Sequence, residues 1–323
     1  MKNIFITGIT GQDGIFLVSK ILKLDNKVRI FGSTRNSNET LFYKRLNALN
    51  TPKHKDIKLL NIDLEDFNSV NKLISDIEPA QIYNLTGPSS VIKSVNDNMA
   101  THTSIINIFD NLINSLKKNN ISTDFFQASS SEMFSINETG KFNEESELDP
   151  LTPYAEAKMI NHHKVLDLSN DHGWKIRSGI MFNHESEFRA KEYLLMQIIH
   201  SAKKISENNS NEFQIGSLDL IRDWSFAGDI VDGIYKINNA AKSNSYVIGS
   251  GIGTPIRKLV DIVFKYFELD YKEFLVINED LTRKNNQRKI VADNRKIKSE
   301  LNWTTSLTIE ELVIRCIKKL DSL

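Results

Sequence analysis

The sequence predicts a doubly wound α/β fold, in which a mostly parallel sheet carries helices on both faces, joined to a smaller, mostly helical domain. Short apolar runs alternate with longer amphipathic stretches up to about residue 180. This alternation is typical of parallel strands connected by helical crossovers. Glycines, an arginine and a glutamate fall at the ends of the apolar runs, where doubly wound sheets bind their ligands. Beyond about residue 180 the alternation loosens, which predicts the second domain.

The predicted elements follow in chain order. Strands are predicted for the apolar runs NIFIT, KVRIFGS, IKLLNID, AQIYNL, TDFFQAS, KIRSGIMFN and SYVIGSG. Amphipathic helices are predicted for IFLVSKILKL, SVNKLISDI, THTSIINIFDNLINSLKK and PYAEAKMINHHKVLDLS. We assign residues 1–180 and 226–251 to the sheet domain, and residues 181–225 and 252–323 to a discontinuous second domain that covers the strand ends.

Composition narrows the class of protein. The 323 residues are 40% apolar and 25% charged, which predicts a globular protein. The 41 basic residues balance 41 acidic ones, so no field of one sign points to nucleic acid or to an anionic membrane. The single cysteine, Cys316, excludes an intrachain disulfide and fits a reducing compartment. No signal peptide or membrane-length apolar run is evident. We expect a soluble cytoplasmic protein without a metal site.

A glycine-rich turn between the first strand and the first helix predicts a dinucleotide site. The segment FITGITGQDGIFLV places Gly8, Gly11 and Gly14 at this turn, with Gln12 and Asp13 between them. Glycines at these positions let the backbone turn tightly and approach a pyrophosphate at the helix N-terminus. We assign all five residues to the cofactor site of a Rossmann sheet; the alternative is a glycine-rich turn that only packs.

The second strand end indicates which dinucleotide is bound. Arg35 stands where an NAD site usually offers an acid to the ribose. The donors of an arginine suit a 2′-phosphate, so NADP is favoured and NAD stays possible. Asp63 and Leu64 at the third strand end and Leu85 at the fourth complete the predicted cofactor site.

Two segments predict catalytic chemistry. The run ASSSEMF places Ser130 and Glu132 at a buried strand end, although hydroxyls and a carboxylate are also ordinary where a strand reaches water. The segment TPYAEAK places Tyr154 and Lys158 four residues apart on one face of a helix that Thr152 can cap. A nearby ammonium lowers the pKa of a phenol, which would let the tyrosine take a proton from a sugar hydroxyl.

With these motifs the chain resembles the extended short-chain dehydrogenases/reductases and, among them, the GDP-mannose 4,6-dehydratases. The resemblance covers nearly the whole chain through the motifs TGITGQDG, IYNLTGPSSV, FFQASSSEMF, PYAEAK, NHESEFR, GSLDLIRDW and LNW. It implies that Ser130 replaces the family's threonine, that Glu132 is the catalytic carboxylate, and that Tyr154 and Lys158 are the Tyr–Lys pair. Epimerases and ketoreductases of the superfamily lack this glutamate.

The resemblance also implies a mechanism. Tyr154 would deprotonate the 4-hydroxyl of a nucleotide-linked sugar while hydride leaves C4. Glu132 would then remove the acidified C5 proton and assist loss of the 6-hydroxyl as water, and hydride would return to C6. Ser131 would hold or relay the leaving hydroxyl, or serve a structural role.

The predicted second domain offers residues for the nucleotide diphosphate. Arginines and asparagines from several segments would form a clamp there. The predicted substrate-binding residues are Ser89, Ser131, Asn183, Arg189, Gln197, Arg222 and Arg283.

Several of these segments depart from the family pattern. The family's NHESP followed by two arginines and glycine becomes NHESEFRA, with Glu187 and Phe188. An Arg–Lys pair becomes Met196 and Gln197, the segment AAQSHV becomes TGPSSV at 86–91, and a glutamate after Arg283 is replaced. These departures predict a GDP-linked sugar other than plain mannose, such as GDP-N-acetylglucosamine or a heptose.

Two other functions stay open from the sequence. One is a 4-keto-sugar reductase or epimerase on the same fold, against which Glu132 argues. The other is a non-catalytic NADP-binding regulatory subunit, which would tolerate loss of the catalytic residues, and none of them is lost. We expect a homo-oligomer, a dimer or a tetramer, although the sequence does not fix the number of subunits.

Overall fold

The computed structural model of the protein describes residues 1–35, 38–87, 98–135, 137–171, 175–242, 244–278, 281 and 289–320. The predicted alternation forms a seven-stranded sheet in which all neighbouring strands are parallel. In spatial order its strands are β11 (Ser245–Ile248), β7 (Ile176–Met181), β5 (Asp124–Ser130), β4 (Gln81–Asn84), β1 (Lys2–Thr7), β2 (Val28–Ser33) and β3 (Ile57–Leu60). This is a doubly wound Rossmann sheet, as predicted.

Helices cover both faces of the sheet because strand side chains alternate between two cores. The helices of this region are α1 (Gln12–Leu24), α2 (Glu39–Ala48), α3 (Phe67–Ile77), α4 (Asn98–Lys118), α5 (Pro153–Asp171) and α7 (Ala227–Asn238). Ile4 and Ile6 face a core with α1 and α7, whereas Phe5 faces a core with α3 and α4. Over the ranges described above, no helix combines the length and the apolarity needed to cross a membrane.

A second layer lies beyond the carboxyl ends of the strands. Its own apolar core includes residues of α6 (Leu194–Ser206), α8 (Ile256–Tyr266) and α10 (Ile309–Lys319). Between the two layers lie β6 (Gly140–Phe142), β8 (Asn183–Glu185), β10 (Ile221–Phe226), β12 (Gly253–Pro255) and β14 (Ile290–Ala292), with α9 (Arg295–Leu301) against β11. A separate pair joins β9 (Phe213–Ile215) to β13 (Leu275–Ile277). The exact division into two domains stays a prediction, because β6, from the first predicted segment, pairs with β14.

A fully buried arginine fixes one end of the sheet. The guanidinium of Arg177 on β7 donates to the backbone carbonyls of Asn238, the last residue of α7, and of Ala240, two residues beyond it. It also pairs with the Asp124 carboxylate at 3.1 Å. A cation suits a helix C-terminus, where carbonyls lack intrahelical partners. Arg177 therefore holds α7 against strands β5 and β7.

The segment LNW has a structural role. Trp303 is buried, and its Nε1 donates to the carbonyl of Asp229 at 2.8 Å. The Asp229 carboxylate in turn accepts from the backbone N–H and the hydroxyl of Ser306. These bonds fasten the segment after α9 to the first turn of α7.

Candidate active site

A cavity of about 440 Å³ lies at the carboxyl ends of the strands, between the sheet and the second layer. Its walls come from both, since β5 and α5 contribute on one side and β8, α6, β9 and β10 on the other. The predicted site residues that line it are Asp13, Leu85, Ser130, Ser131, Glu132, Tyr154, Lys158, Asn183, Arg189, Gln197 and Arg222. The structure thus brings the four predicted catalytic residues and five of the seven predicted substrate-binding residues to one cavity.

Other predicted residues lie apart from this cavity or outside the described residues. Gly8 and Gly11 lie in the turn before α1, Gly14 lies in the first turn of α1, and Arg35 is exposed two residues after β2. Asp63 is exposed three residues after β3. The side chain of Leu64 is buried in the core beneath α3 and α4 rather than in a ligand site. Ser89 and Arg283, like Asn286, fall outside the described residues.

Ser129 and Ser130, at the end of β5, have different hydrogen-bond partners and different roles. Ser129 is buried and lies 2.7 Å from the hydroxyl of Ser178 on the neighbouring strand, which lies 2.9 Å from Nδ1 of His162. Ser130 ends the strand, and its hydroxyl accepts from the backbone N–H of Glu132 at 3.2 Å. This cap starts a short 3₁₀ turn that carries the glutamate into the cavity. Ser129 therefore serves the packing between strands, whereas Ser130 and Glu132 face the cavity.

Helix α5 presents its functional residues on one face. As predicted, Thr152 caps it, with its hydroxyl accepting from the N–H of Ala155 at 3.2 Å. Tyr154, Lys158 and His162 follow at intervals of four residues and so share a face. The Lys158 ammonium lies 5.8 Å from the centre of the Tyr154 ring.

The Lys158 ammonium is held by the sheet. Its Nζ donates to the carbonyl oxygen of Ala128 at 2.9 Å. The same carbonyl accepts from the side chain of Gln127, whose Oε1 accepts from Asn84, and the Asn84 Oδ1 accepts from Thr7. This buried chain of hydrogen bonds runs across β1, β4 and β5. It therefore fixes the position of the Lys158 ammonium on the cavity wall.

The acid–base properties of the Tyr–Lys pair differ from the prediction. Burial raises the pKa of Tyr154; the hydrogen bond of Ser130 opposes this rise, and the negative charge of Glu132 adds to it. Burial also lowers the pKa of Lys158 to about 8. The prediction that the lysine lowers the pKa of the phenol is therefore not met in this structure, because burial disfavours the charged form of both groups.

The turn before α1 fits a dinucleotide. Gly8 has φ of 66°, a backbone conformation that glycine adopts without a steric cost. A Cβ at Gly14 would lie 2.4 Å from the carbonyl oxygen of Ile9, so the helix can approach the strand only with glycine there. Beside Gly8, the buried hydroxyl of Thr86 has no hydrogen-bond partner among the described residues. A bound dinucleotide would supply that partner.

Two motifs that are far apart in the sequence contact each other. The Gln12 side chain donates to the carbonyl of His184 and accepts from the hydroxyl of Ser186 at 2.7 Å. The Asp13 carboxylate lies 3.1 Å from Nε2 of His184, whose Nδ1 lies 2.7 Å from the carbonyl of Phe182. Burial opposes charge on His184, but the carboxylate prevails and raises its pKa. The first turn of α1 is thus tied to β8 through Gln12 and through the Asp13–His184 pair.

A stacked arginine borders the cavity beside the catalytic tyrosine. Arg189 pairs with the buried carboxylate of Glu185 at 3.2 Å, and its guanidinium carbon lies 3.5 Å from the centre of the Tyr193 ring. Both Arg189 and Tyr193 line the cavity and act on the pKa of Tyr154. The arginine is therefore held in one orientation on the cavity wall.

Some departures from the family pattern lie outside the cavity. Glu187 forms two hydrogen bonds with Arg315 of α10, and Phe188 packs against Phe16 of α1 with ring centres 5.3 Å apart. Met196 is buried in the core of the second layer. The expectation that these three residues alter the sugar site is wrong for this structure, because none of them lines the cavity. Gln197 does line it.

The motif RDW lies on strand β10, and its residues face alternate sides of the strand. Arg222 and Trp224 line the cavity, whereas Asp223 points the other way and accepts hydrogen bonds from Ser250, Gly251 and Ala292. Sequence reasoning found Arg222 and missed Trp224, although the two-residue period of a strand places them on one face. It also missed Tyr193, for which no local signal was present.

Comparison with known proteins decides the family. A sequence model described as GDP-mannose 4,6 dehydratase matches residues 5–316. The chain belongs to the GDP-mannose 4,6-dehydratase family. A GDP-mannose 4,6 dehydratase of Drosophila melanogaster is 31% identical over 344 residues, covering 98% of this chain and 85% of the relative.

Solved structures share the fold of this family member. The dTDP-glucose 4,6-dehydratase of Bacillus anthracis, solved with NAD, superposes with a TM-score of 0.83 at 17% identity and covers 100% of this chain and 97% of its own. RMD from Pseudomonas aeruginosa, solved with NADPH, superposes with a TM-score of 0.79 at 18% identity and full coverage of both chains. At these identities the likeness shows the fold alone.

Proposed function

We propose that this member of the GDP-mannose 4,6-dehydratase family converts a GDP-linked sugar to its 4-keto-6-deoxy form, with NADP as the bound cofactor. The observation that carries the proposal is the meeting of Ser130, Glu132 and Tyr154 on the wall of one cavity. The family match and the name of the Drosophila relative support the substrate class. The glycine turn and the unpartnered Thr86 hydroxyl support a dinucleotide at the adjoining strand ends.

The chain's own residues divide the proton transfers. Tyr154 takes the proton of the 4-hydroxyl, and Ser130 shares the hydrogen bond to that oxygen. When bound, the nicotinamide would supply a hydride acceptor for C4 and a positive charge that favours the phenolate in its oxidised form, and a hydride donor for C6 in its reduced form. Glu132 removes the C5 proton once C4 is a ketone and delivers it to the departing 6-hydroxyl, which leaves as water. A proton from solvent replaces it at C5 when hydride returns to C6. The lysine, fixed on Ala128, keeps a positive charge near the phenol.

The carboxylate separates this function from the main alternative on the same fold. A 4-keto-sugar reductase or epimerase has no elimination step and needs no carboxylate at the position of Glu132. In this chain the Ser130 cap orients the turn that carries the glutamate into the cavity. A non-catalytic regulatory subunit would not require Lys158 to be held by the buried hydrogen-bond chain.

The identity of the sugar now depends on fewer residues than the sequence indicated, because Glu187, Phe188 and Met196 do not line the cavity. Gln197 lines the cavity in place of a family lysine. Gly87 also lines it, but an added Cβ there would lie only 3.2 Å from Lys158 Nζ, so the glycine makes room for the lysine rather than for the sugar. The loss of the family lysine at Gln197 favours a sugar with a bulkier C2 group or a longer chain than mannose. GDP-N-acetylglucosamine and a GDP-heptose are the proposed substrates.

The test is product analysis with purified protein and NADP. A panel of GDP-, UDP-, CDP- and dTDP-sugars is incubated, and mass spectra are searched for loss of one water from the sugar nucleotide. We expect product from GDP-sugars, with kcat/KM about 10–200-fold higher for the preferred sugar than for GDP-mannose, the range that a missing group in a pocket produces. Product from a UDP-sugar alone would refute the nucleotide assignment, and a preference for GDP-mannose would refute the sugar.

A further inference from the structure

We propose that Arg45 of α2 is a second cation in a phosphomonoester subsite at the carboxyl end of β2, where it binds the 2′-phosphate of NADP together with Arg35. The inference rests on the cofactor part of the proposed function and deepens it. Neither the glycine turn nor the strand-end pattern contains this residue, because α2 lies beyond the predicted motifs.

The position of Arg45 places it against the glycine turn. Its Nη1 donates to the carbonyl oxygen of Thr10 at 3.3 Å. The hydroxyl of Thr10 lies 3.0 Å from the hydroxyl of Thr34, and Arg35 is the next residue of the chain. One arginine and two hydroxyls therefore border the turn between β1 and α1, and the exposed Arg35 follows Thr34 in the chain.

Arg45 differs from other arginines of the chain in its partners. Among the described residues its contacts are the Thr10 carbonyl and the ring of Phe188, whose centre lies 5.6 Å from the guanidinium carbon. Other arginines pair with carboxylates, namely Arg177, Arg189, Arg257, Arg295 and Arg315. Burial is the cause that lowers the pKa of Arg45, and no acid offsets it. A half-buried cation of this kind calls for an anion.

The place of the cation selects the anion. In a sheet of this kind the adenosine ribose lies near the end of the second strand, and an arginine there accommodates a 2′-phosphate. A guanidinium has five N–H donors, and one of the Arg45 donors reaches the Thr10 carbonyl. A phosphomonoester accepts two parallel hydrogen bonds from each arginine fork. The subsite thus discriminates NADP from NAD by charge and by geometry.

The experiment measures binding of two small probes to the purified full chain by titration calorimetry. Adenosine 2′,5′-bisphosphate and adenosine 5′-monophosphate differ by the 2′-phosphate alone. The variant is Arg45→Met, which keeps an apolar stem over Phe188. Its matched control is Lys44→Met, an exposed cation one residue earlier on the same helix.

We expect Arg45→Met to weaken the bisphosphate roughly tenfold or more, as the loss of a charge-assisted hydrogen bond does, and the monophosphate less than twofold. Lys44→Met should change neither, and Arg45→Lys should keep part of the affinity. Retained binding of the monophosphate shows that the variant is folded. Equal weakening of both probes would show that Arg45 only supports the structure around α2, and would overturn the inference. Unchanged binding of both probes would overturn it as well.

The outcome is separable from the fate of the proposed function. A selective loss of the bisphosphate, with no dehydrated product from any sugar nucleotide, would support the subsite and refute the dehydratase. Dehydrated product from the wild type, with an unselective variant, would refute the subsite alone.

Discussion

The ammonium of Lys158 donates a hydrogen bond to the carbonyl oxygen of Ala128 at 2.9 Å, and thereby ties helix α5 to strand β5, which leads into the turn that carries Glu132. Two residues after Ala128 the chain reaches Ser130, and four residues before Lys158 lies Tyr154. One hydrogen bond therefore sets the offset between the helix and the strand end. The meeting of the serine and the tyrosine depends on that offset.

Replacing Glu132 by Gln should stop elimination while leaving cofactor binding intact. The amide has nearly the shape of the carboxylate but cannot take the C5 proton. We expect a loss of at least ~10²-fold in turnover, the usual scale for a general base. The measurement is product formation in deuterium oxide, where C5 should gain deuterium only with the wild type. Glu138→Gln, at an exposed position, is the control. Normal turnover of the Glu132 variant would remove the residue from the mechanism.

Replacing Arg35 by Ala should weaken NADP far more than NAD. A charge-assisted contact to a phosphate contributes roughly 1.5–3 kcal/mol, which corresponds to a loss of about ten- to a hundredfold in affinity. Fluorescence titration with each reduced cofactor measures the two dissociation constants. Arg29→Ala, at an exposed position on β2, the strand before Arg35, should leave both unchanged. Equal affinities of the wild type for the two cofactors would contradict the assignment to NADP.

Replacing Arg177 by Met should destabilise the fold without touching the cavity. The variant leaves the carbonyls after α7 and the partly buried Asp124 carboxylate without their cation. Breaking a buried pair on one side costs about 3–5 kcal/mol. Denaturant unfolding followed by circular dichroism gives the free energy of unfolding. The exposed Arg29→Met should change it by less than ~0.5 kcal/mol. Equal stabilities of the two variants would show that the buried guanidinium is dispensable.

The buried histidine behind the strand end predicts how stability responds to acid. Burial lowers the pKa of His162 to about 4, from an ordinary value of 6.5. Between these pH values His162 binds a proton in the unfolded chain but not in the folded chain. Unfolding is therefore favoured progressively as the pH falls from about 6.5 to about 4. Above this window the histidine is neutral in both states and has no such effect.

Replacing His162 by Gln tests this dependence. The amide keeps a hydrogen-bond partner for Ser178 but does not titrate. The free energy of unfolding, measured from pH 7 to pH 4, should fall less steeply in the variant, by at most about 3 kcal/mol over the window. His163→Gln, the neighbouring residue on α5, is the comparison. Parallel curves for the wild type and the His162 variant would contradict the assignment of a neutral buried imidazole.

Much of the sheet and part of the site could be predicted because their signals are local. The glycine turn, the Thr152 cap and the four-residue interval from Tyr154 to Lys158 each lie within one short segment. Their conformations follow from backbone freedom, capping and helical period. The structure confirms the Rossmann sheet and the cap on these grounds.

The rest depends on partners that are distant in the sequence. The role of Glu187 is set by Arg315, 128 residues away, so no local pattern could exclude it from the sugar site. The altered pKa of Tyr154 likewise depends on burial by the second layer. Comparison with a family pattern located the changed residues, but only the packing shows which of them face the cavity.

The pairing of β6 with β14 has a consequence for protein engineering. Gly140–Phe142 precede the catalytic helix in the chain, yet they hydrogen-bond in register with Ile290–Ala292 near the other end. Consider a chimera in which only the segments after residue 180 are exchanged with those of a relative. Its β6 would come from this protein and the β14 that pairs with it would come from the relative. The grafted piece should therefore include residues 140–142; otherwise β6 and β14 of the recombined sheet would come from different proteins.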